Sequence, residues 1–133
     1  MFVYNCTINF HQADPAGVLF FGNIFPLAHD AYESFITGLG TERNYFNDNE
    51  YAIPILHAEA DYYSVIQPGD KLTVSIKATT VKSSSFELAY EFMDDEKNIK
   101  AKVKTVHVLV RKKDFRKTEL TDELLVGLNS ILD

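Results

Sequence analysis

The chain has 133 residues, a net charge of −6 at pH 7 and a hydrophobic content of 46%, which suits one domain over residues 1–133 with a packed core. The acidic balance disfavours nucleic acid and anionic membranes as main partners, because both bind basic surfaces. The sequence has neither an apolar run of membrane-spanning length nor a signal-like N-terminus, so we expect a cytoplasmic protein without a membrane partner.

The first predicted element is a strand. Residues 2–10 alternate in polarity and are rich in side chains that favour β-structure. The single cysteine, Cys6, lies within this run and has no second cysteine with which to form a disulfide. We therefore interpret Cys6 as a buried strand residue and not as a nucleophile.

A carboxylate on a shaped turn follows the first strand. Asp14 opens the sequence Asp-Pro-Ala-Gly, in which Pro15 fixes the backbone and Gly17 permits a sharp bend. An ordinary surface turn is the alternative interpretation, since the same residue types favour turns. An apolar segment that opens a helix comes next, and free N–H groups at a helix start can face a carboxylate. The arrangement predicts a catalytic aspartate beside a helix N-terminus.

A long amphipathic helix is predicted over residues 23–39. Its apolar side chains recur at helical spacing and form one broad stripe: Ile24, Leu27, Ala28, Ala31, Tyr32, Phe35, Ile36 and Leu39. Asn23 is a suitable N-cap, Pro26 falls in the first turn, and Gly38 with Gly40 supplies the stop signal. The breadth of the stripe indicates a helix that lies against a sheet.

A meander of strands is predicted next. After a polar loop over residues 41–50, turn-forming segments separate four strand-like runs: residues 51–66, 71–82, 86–93 and 99–111. The connections are too short for parallel crossovers, so the sheet is expected to be antiparallel. In the first run, one face carries two small residues and would let a helix approach: Leu56, Ala58, Ala60 and Tyr62. The opposite face is too polar for a core: His57, Glu59, Asp61 and Tyr63.

The chain ends in a predicted short helix over residues 121–132, with Thr121 as its cap. The order of strand, long helix, antiparallel strands and short helix predicts an α+β architecture, in which a curled sheet wraps one central helix. That is the element order of the hotdog fold.

The string from Ala13 to Asn23 resembles the acyl-CoA thioesterases of the hotdog fold, in particular the 4-hydroxybenzoyl-CoA thioesterase family. In that family the aspartate of the Asp-Pro-Ala-Gly turn is catalytic. The strings over residues 29–35 and 51–58 look like the 1,4-dihydroxy-2-naphthoyl-CoA thioesterases of menaquinone and phylloquinone synthesis. The resemblance extends over about residues 4–110.

The resemblance implies roles for three residues of the turn and the helix start. Asp14 is the nucleophile or general base, the backbone N–H of Phe21 binds the oxyanion, and Gly17 shapes the approach to it. The helix dipole favours the same place, and removing one such donor typically costs about 3–4 kcal/mol of transition-state stabilisation. One departure is Gln12, where many relatives carry a further acidic residue.

The candidate substrate-binding residues, taken from the resembling strings and one further lysine, are His29, Tyr32, Glu33, His57 and Lys82. His29 and Glu33 lie four apart and could form a hydrogen-bonded pair, with a solvated or interface pair as the alternative. Some hotdog enzymes use a helix acid or a histidine with a helix acid, so this pair rivals Asp14. His57 lies mid-strand, where a structural histidine is the usual finding.

Coenzyme A brings phosphates, which some relatives hold with clustered basic residues before the strand that begins here at Phe86. Only Lys82 and serines occupy that stretch. A second run contains five basic residues and could attract phosphates: Arg111, Lys112, Lys113, Arg116 and Lys117. A plain solvated face is the alternative for this run.

Other catalytic patterns are not evident in the sequence, including Ser-His-Asp or Cys-His sets, a Gly-rich phosphate loop and metal ligands at recognised spacing. We expect a thioesterase for an aromatic acyl-CoA, 1,4-dihydroxy-2-naphthoyl-CoA first and 4-hydroxybenzoyl-CoA next, with no metal and no cofactor besides the substrate's own coenzyme A. The alternatives are a short- or medium-chain aliphatic acyl-CoA thioesterase, a non-catalytic acyl-CoA-binding protein and a 3-hydroxyacyl thioester dehydratase. The family's edge-to-edge dimers imply a homodimer or homotetramer with the site between subunits.

Overall fold

The computed structural model describes all residues from 1 to 133. Its helices and strands are, in chain order, β1 (Phe2–Thr7), α1 (Ile24–Gly38), β2 (Tyr51–Ala52), β3 (Ile55–Tyr62), β4 (Lys71–Val81), β5 (Ser85–Met93), β6 (Ile99–Val108), β7 (Val110–Arg111) and α2 (Asp122–Asn129). Five strands form one antiparallel sheet in the order β1-β4-β5-β6-β3, and β2 pairs with β7 separately. Short 3-10 turns occupy Phe10–Gln12 and Phe21–Asn23.

The core lies between α1 and one face of the sheet, which we call the inner face. Every second residue of β5 is buried on this face: Phe86, Leu88, Tyr90 and Phe92. The predicted stripe of α1 is buried from Ile24 to Ile36, and Leu39 at the helix end packs against the core. Both periodicities are confirmed, and so is the α+β architecture with one central helix. No helix combines the length and apolar character that crossing a bilayer requires.

The first strand is shorter than predicted, because the chain turns after Ile8. The Ile8 amide donates to the Asp70 carbonyl at 2.9 Å, and the Gly69 amide donates to the Ile8 carbonyl at 2.8 Å. The backbone then enters the 3-10 turn at Phe10, whose side chain is 88% exposed. Cys6 is half-buried against the core, and this burial raises the pKa of its thiol.

Two predicted strands are each divided in the structure. Ile53 and Pro54 separate β2 from β3, since Pro54 has no N–H to continue the ladder. Leu109 separates β6 from β7, because its amide turns away to the Ser84 carbonyl at 2.9 Å. These breaks let β2 and β7 leave the main sheet and pair with each other.

The prediction that the Asn23 side chain caps α1 is wrong, because this side chain makes no hydrogen bond to the helix start. Asn23 ends a 3-10 turn and has helical backbone angles, so helical backbone already begins at Phe21. Its side-chain amide donates instead to the Gln12 carbonyl at 2.9 Å. The unpaired N–H groups of the helix start are therefore moved towards Phe21.

The strand β3 lies at an edge of the sheet and leaves one side without a strand partner. Ala60 packs against the core as predicted, but the expected burial of Leu56 and Tyr62 is wrong, because they are 65% and 45% exposed. Leu56 lies at an irregularity in the pairing with β6, which displaces it from the regular alternation. The edge therefore exposes apolar side chains.

The C-terminal helix is anchored through its cap. Thr121 Oγ1 accepts the Leu124 amide at 3.4 Å, as predicted, and lies 2.7 Å from the Tyr45 hydroxyl. Tyr45 also donates to Glu123 at 2.5 Å and is buried. The middle of the loop over residues 41–50 is therefore held against α2. After α2, the Ala78 amide of β4 donates to the Ile131 carbonyl at 2.9 Å.

We expect Thr121→Ala to lower the free energy of unfolding by about 1–2 kcal/mol, because it removes both the cap and the Tyr45 contact. Thr37→Ala is the control, since Thr37 is exposed on α1 and its hydroxyl only bonds the preceding turn. Urea unfolding measures both variants. Equal losses in the two variants would contradict the anchoring role of Thr121.

Candidate active site

Asp14 lies at the start of a tight hairpin. The Gly17 amide donates to the Asp14 carbonyl at 3.0 Å, and the Asp14 amide donates to the Val18 carbonyl at 2.8 Å. Ala13 and Leu19 pair on either side of this turn. Gly17 has a φ of +79° with open space around its Cα, so glycine is required for backbone conformation and not for room.

Asp14 is a half-buried residue, and its carboxylate is held by its own turn. Oδ1 accepts the Ala16 amide at 2.8 Å, whereas Oδ2 makes no hydrogen bond within the chain. No lysine or arginine of the same chain forms an ion pair with it. One oxygen is therefore oriented by the backbone, and the other is free to take a proton or attack a carbonyl.

The Asp14 hairpin is tied to the start of α1 through Gln12. The Gln12 carbonyl accepts the Phe20 amide and the Asn23 side chain, both at 2.9 Å. The next amide, that of Phe21, donates to no acceptor in the chain and opens the helical backbone. Hairpin and helix start therefore form one unit that contains a free carboxylate oxygen and a free N–H donor.

Tyr62 of the edge strand also holds this helix start. Its hydroxyl donates to the Phe21 carbonyl, and partial loss of hydration raises the pKa of Tyr62, so the donor stays protonated. The rings of Phe20 and Phe21 lie beside each other with centroids 4.8 Å apart, and both are exposed. A Cβ at Gly22 would lie 2.9 Å from the Phe20 ring, so a larger residue there would displace that ring.

A cavity of about 350 Å³ opens between α1 and the strands β3, β5 and β6. Its wall is mainly apolar and aromatic, with five ring side chains: Phe25, His29, Tyr32, Tyr90 and His107. Ala28 on α1 and Ala58 on β3 supply the room, since larger side chains there would fill the gap. A volume of this size suits a ring-sized group.

A buried hydrogen-bonded chain lies beside this cavity. The Tyr90 hydroxyl is 3.0 Å from Thr105 Oγ1, which is 2.7 Å from His107 Nε2. The His107 ring stacks on Phe86 with centroids 4.8 Å apart, and the Tyr32 ring packs against it at a tilt of 33° with centroids 4.5 Å apart. Burial lowers the pKa of His107 to about 3, so its imidazole is neutral at physiological pH.

Comparison with known proteins assigns this arrangement to a family. A model of the thioesterase-like superfamily matches residues 8–128. The chain belongs to the thioesterase-like superfamily. The 1,4-dihydroxy-2-naphthoyl-CoA hydrolases of Rippkaea orientalis and Nostoc punctiforme are 31% and 33% identical to it, over 96% and 97% of this chain and 94% and 87% of their own. The crystal structure of the 1,4-dihydroxy-2-naphthoyl-CoA thioesterase of Synechocystis superposes with a TM-score of 0.89, at 25% identity over 98% of this chain and 96% of that one.

The resemblance found in the sequence is thereby confirmed, and the sheet wrapped around α1 is the hotdog fold of this superfamily. Asp14, Gly17 and Phe21 fall together on the hairpin and helix start, as predicted. Their roles in catalysis stay predictions.

Two residues of α1 that were expected to form a pair, His29 and Glu33, are arranged differently in the structure. His29 and Glu33 form no hydrogen bond with each other, and both are exposed. The His29 ring instead packs edge-on against Tyr32 at 5.5 Å and Phe46 at 6.1 Å. His29 therefore belongs to the cavity rim, whereas Glu33 faces solvent.

His57 lies outside the cavity. It is exposed on β3 and its Nε2 is 3.0 Å from the Glu59 carboxylate. His57 thus lies on the face of β3 that the sequence showed to be too polar for a core, and its role in substrate binding stays a prediction. The other side of the strand contributes Ala58 to the cavity.

The basic residues divide into paired and free groups. Arg111 is paired with Glu50 at 2.7 Å and lies over the Tyr51 ring, and Arg116 lies 3.9 Å from Asp114. Residues 110–117 form a second hairpin, in which the Arg111 amide donates to the Arg116 carbonyl at 3.0 Å. The exposed lysines on and beside it that have no carboxylate partner are Lys82, Lys112, Lys113 and Lys117, which we call the basic end. Hydrogen bonds from residues 109 and 120 to residues 84 and 83 hold the Lys82 turn beside the hairpin.

Asp14 and the basic end occupy opposite ends of the sheet in one chain. The Asp14 hairpin joins the chain before β4, through a 2.7 Å bond from the Leu19 amide to the Ile66 carbonyl. The Lys82 turn follows β4, whose 11 residues span roughly 35 Å. A single chain therefore separates the carboxylate from these lysines.

Sequence reasoning missed Tyr62 and His107 as parts of the site. Both lie in alternating strands, and a single alternating histidine or tyrosine has no pattern that distinguishes a site residue from a core residue. The available signal for His107 was its position on the inner side of β6, in line with the buried Thr105.

We expect the stability of the protein to fall by about 2 kcal/mol between pH 7 and pH 5 through His107 alone. The unfolded chain binds a proton at this histidine as the pH falls through about 6.5, whereas the folded chain stays neutral until about pH 3. Carboxyls with lowered pKa, such as Glu87 and Asp94, lose their stabilising charge only at lower pH. Urea unfolding at both pH values measures the change.

His107→Gln is the control variant for this measurement, because it keeps a polar side chain that does not titrate. The pH dependence between 7 and 5 should be largely lost in it. An identical pH dependence in wild type and variant would contradict a neutral, buried His107.

Proposed function

We propose that the protein hydrolyses the thioester of an aromatic acyl-CoA, with 1,4-dihydroxy-2-naphthoyl-CoA as the first candidate and 4-hydroxybenzoyl-CoA as the next. The observation that carries the proposal is the junction of the Asp14 hairpin with the start of α1. It combines a free carboxylate oxygen with the unpaired Phe21 amide. The relatives named 1,4-dihydroxy-2-naphthoyl-CoA hydrolase support the choice of acyl group.

In the reaction, Asp14 acts on the thioester carbonyl carbon in one of two ways. As a general base it takes a proton from water, and the oxygen of that water attacks the carbon. As a nucleophile its carboxylate forms an anhydride, which water then cleaves. In both cases the Phe21 N–H donates to the carbonyl oxygen as it becomes negative, and the C–S bond breaks to release coenzyme A as its thiol.

A dimer through the open edge of β3 would complete the site. Exposed apolar side chains follow this edge: Ile55, Leu56, Tyr62, Tyr63 and Val65. Antiparallel pairing of β3 with a second copy places the partner subunit's Ile55 end beside the Tyr62 end of the first chain. The cavity and basic end of one subunit would then approach Asp14 of the other, in a homodimer or in a homotetramer built from two such dimers.

The rival functions have less support. A dehydratase would use His29 with Glu33, and these two side chains form no pair. A non-catalytic binding protein would need neither the free Asp14 oxygen nor the free Phe21 amide. A short- or medium-chain aliphatic acyl-CoA is the second candidate substrate, because an apolar cavity also accepts an alkyl chain. We further propose that the enzyme acts in the cytoplasm and needs no metal or cofactor beyond its substrate.

We expect Asp14→Asn to lower kcat/KM for 1,4-dihydroxy-2-naphthoyl-CoA by about 100-fold or more, because the amide neither attacks nor accepts the proton. Release of free thiol measures the rate, and circular dichroism with gel filtration checks fold and assembly. Asp30→Asn is the matched control, since Asp30 is exposed on α1. His29→Ala and Glu33→Ala should each cost less. Near-normal turnover by Asp14→Asn, or a larger loss in either helix variant, would contradict the proposed mechanism.

Replacing Lys112, Lys113 and Lys117 together by Ala should raise KM and weaken its salt dependence with little change in kcat. Contacts with phosphates are shared by ground and transition states, so they act on binding. Adding Lys82→Ala should raise KM further. The control is a second triple alanine variant that loses the same amount of positive charge on the face of the sheet away from α1. Its three positions are Lys77, Lys102 and Lys104. Equal KM values for the two triple variants would show that the basic end is only a solvated face.

A further inference from the structure

One side chain of the sheet reaches the turn that carries the proposed oxyanion donor. The Tyr62 hydroxyl donates to the Phe21 carbonyl. The backbone of Tyr62 is itself held by β6, since Tyr62 pairs with Ala101 and the next amide, that of Tyr63, donates to the Lys100 carbonyl at 2.9 Å. A strand fixed in the sheet therefore holds the first helical turn through a single hydroxyl group.

The Phe21 carbonyl does not need the Tyr62 bond to be satisfied. It also accepts the Ile24 amide, in the ordinary pattern of a helical turn. One partner is enough to spare a carbonyl the cost of an unpaired polar group, although its two lone pairs can accept two bonds. Tyr62 is 45% exposed, so water could equally serve its hydroxyl. The effect of the bond is therefore to orient the turn.

The direction of the Phe21 N–H depends on the peptide groups on both sides of this residue. In a trans peptide the N–H points away from the preceding carbonyl, here that of Phe20, which accepts the Asn23 amide at 2.9 Å. The following peptide contains the carbonyl that Tyr62 holds. The Phe21 ring is 66% exposed and gives the residue little anchorage in the core. Since helix ends fray, loss of the Tyr62 hydroxyl would let the N–H turn away from the thioester.

We propose that Tyr62 is a positioning residue for thioester hydrolysis, which fixes the direction of the Phe21 N–H before the substrate binds. The inference rests on the proposed function, since it takes this N–H as the donor to the thioester oxygen. In this role Tyr62 acts through Phe21 and not on the substrate itself. A donor that is aimed in advance stabilises the negative charge of the transition state without first having to be ordered. Tyr62 therefore acts on kcat.

The first test removes the hydroxyl and keeps the ring. We expect Tyr62→Phe to lower kcat about tenfold with KM within about twofold of wild type, because the lost effect is specific to the transition state. The loss is smaller than the roughly 100-fold or more that follows removal of an oxyanion donor, since the Phe21 N–H remains and only its aim is lost. Tyr63→Phe is the matched control, because the neighbouring hydroxyl is exposed and bonds nothing in the chain. It should leave kcat unchanged.

Two unreactive ketones separate the aim of the donor from substrate binding. In the first, a CH2 group joins a 2-naphthyl ketone to the sulfur of coenzyme A, and in the second a CF2 group does so. The fluorines favour addition of water to the carbonyl, so the second ketone presents a tetrahedral carbon like that of the transition state. Calorimetric titration should show that Tyr62→Phe weakens binding of the CF2 ketone about tenfold and leaves the CH2 ketone unchanged. A general defect of the site would weaken both equally and would contradict the proposal.

Stability and assembly complete the test of Tyr62. Because the Phe21 carbonyl keeps the Ile24 amide, Tyr62→Phe should match Tyr63→Phe in its urea midpoint and its gel-filtration volume. A variant that unfolds or changes its assembly would show that Tyr62 is a structural residue, and wild-type kcat or a raised KM at unchanged kcat would equally overturn the proposal. The thioesterase would stand in all these cases. If folded wild-type protein hydrolyses no aromatic acyl-CoA, the proposed function itself fails, and this inference fails with it.

Discussion

The burial of the apolar stripe of α1 against the inner face of the sheet is the constraint from which the rest of the structure follows. The helix can lie close to the sheet because small residues such as Ala28 and Ala31 alternate with large ones along the stripe. That packing fixes the direction of the helix, and hence the position of its unpaired N-terminal amides. It also leaves the gap beside β3 that becomes the cavity.

The fixed helix also holds the Asp14 hairpin in position. A carboxylate on an ordinary surface turn would be solvated and mobile, whereas here the Gln12 carbonyl joins the hairpin to the first helical turn. Tyr62 holds the same turn from the edge strand. The carboxylate and the amide proposed for catalysis are thus placed by hydrogen bonds among three separate segments, an arrangement suited to a reaction that needs preorganised donors.

Much of this was predictable from the sequence because it depends on local rules. The stripe of α1, the alternation of β5, the Thr121 cap and the turn chemistry around Asp14 and Gly17 all follow from residue type and spacing. The Asp-Pro-Ala-Gly turn also placed the chain in its family. Features that depend on distant segments were missed. The pairing of β2 with β7 joins segments about 60 residues apart, and the pairing of Arg111 with Glu50 removes one arginine from the predicted phosphate site.

The identity of the acyl group depends on the shape and lining of the cavity and not on a local sequence motif. It is therefore the part of the proposed function that most needs a direct test. The measurement is kcat/KM by thiol release for 1,4-dihydroxy-2-naphthoyl-CoA and hexanoyl-CoA on the same preparation. An aromatic-walled cavity predicts that the aromatic thioester is hydrolysed at least tenfold more efficiently, a difference of about 1.4 kcal/mol that burial of one ring readily supplies. Comparable values for the two substrates would contradict the assignment to aromatic acyl-CoA.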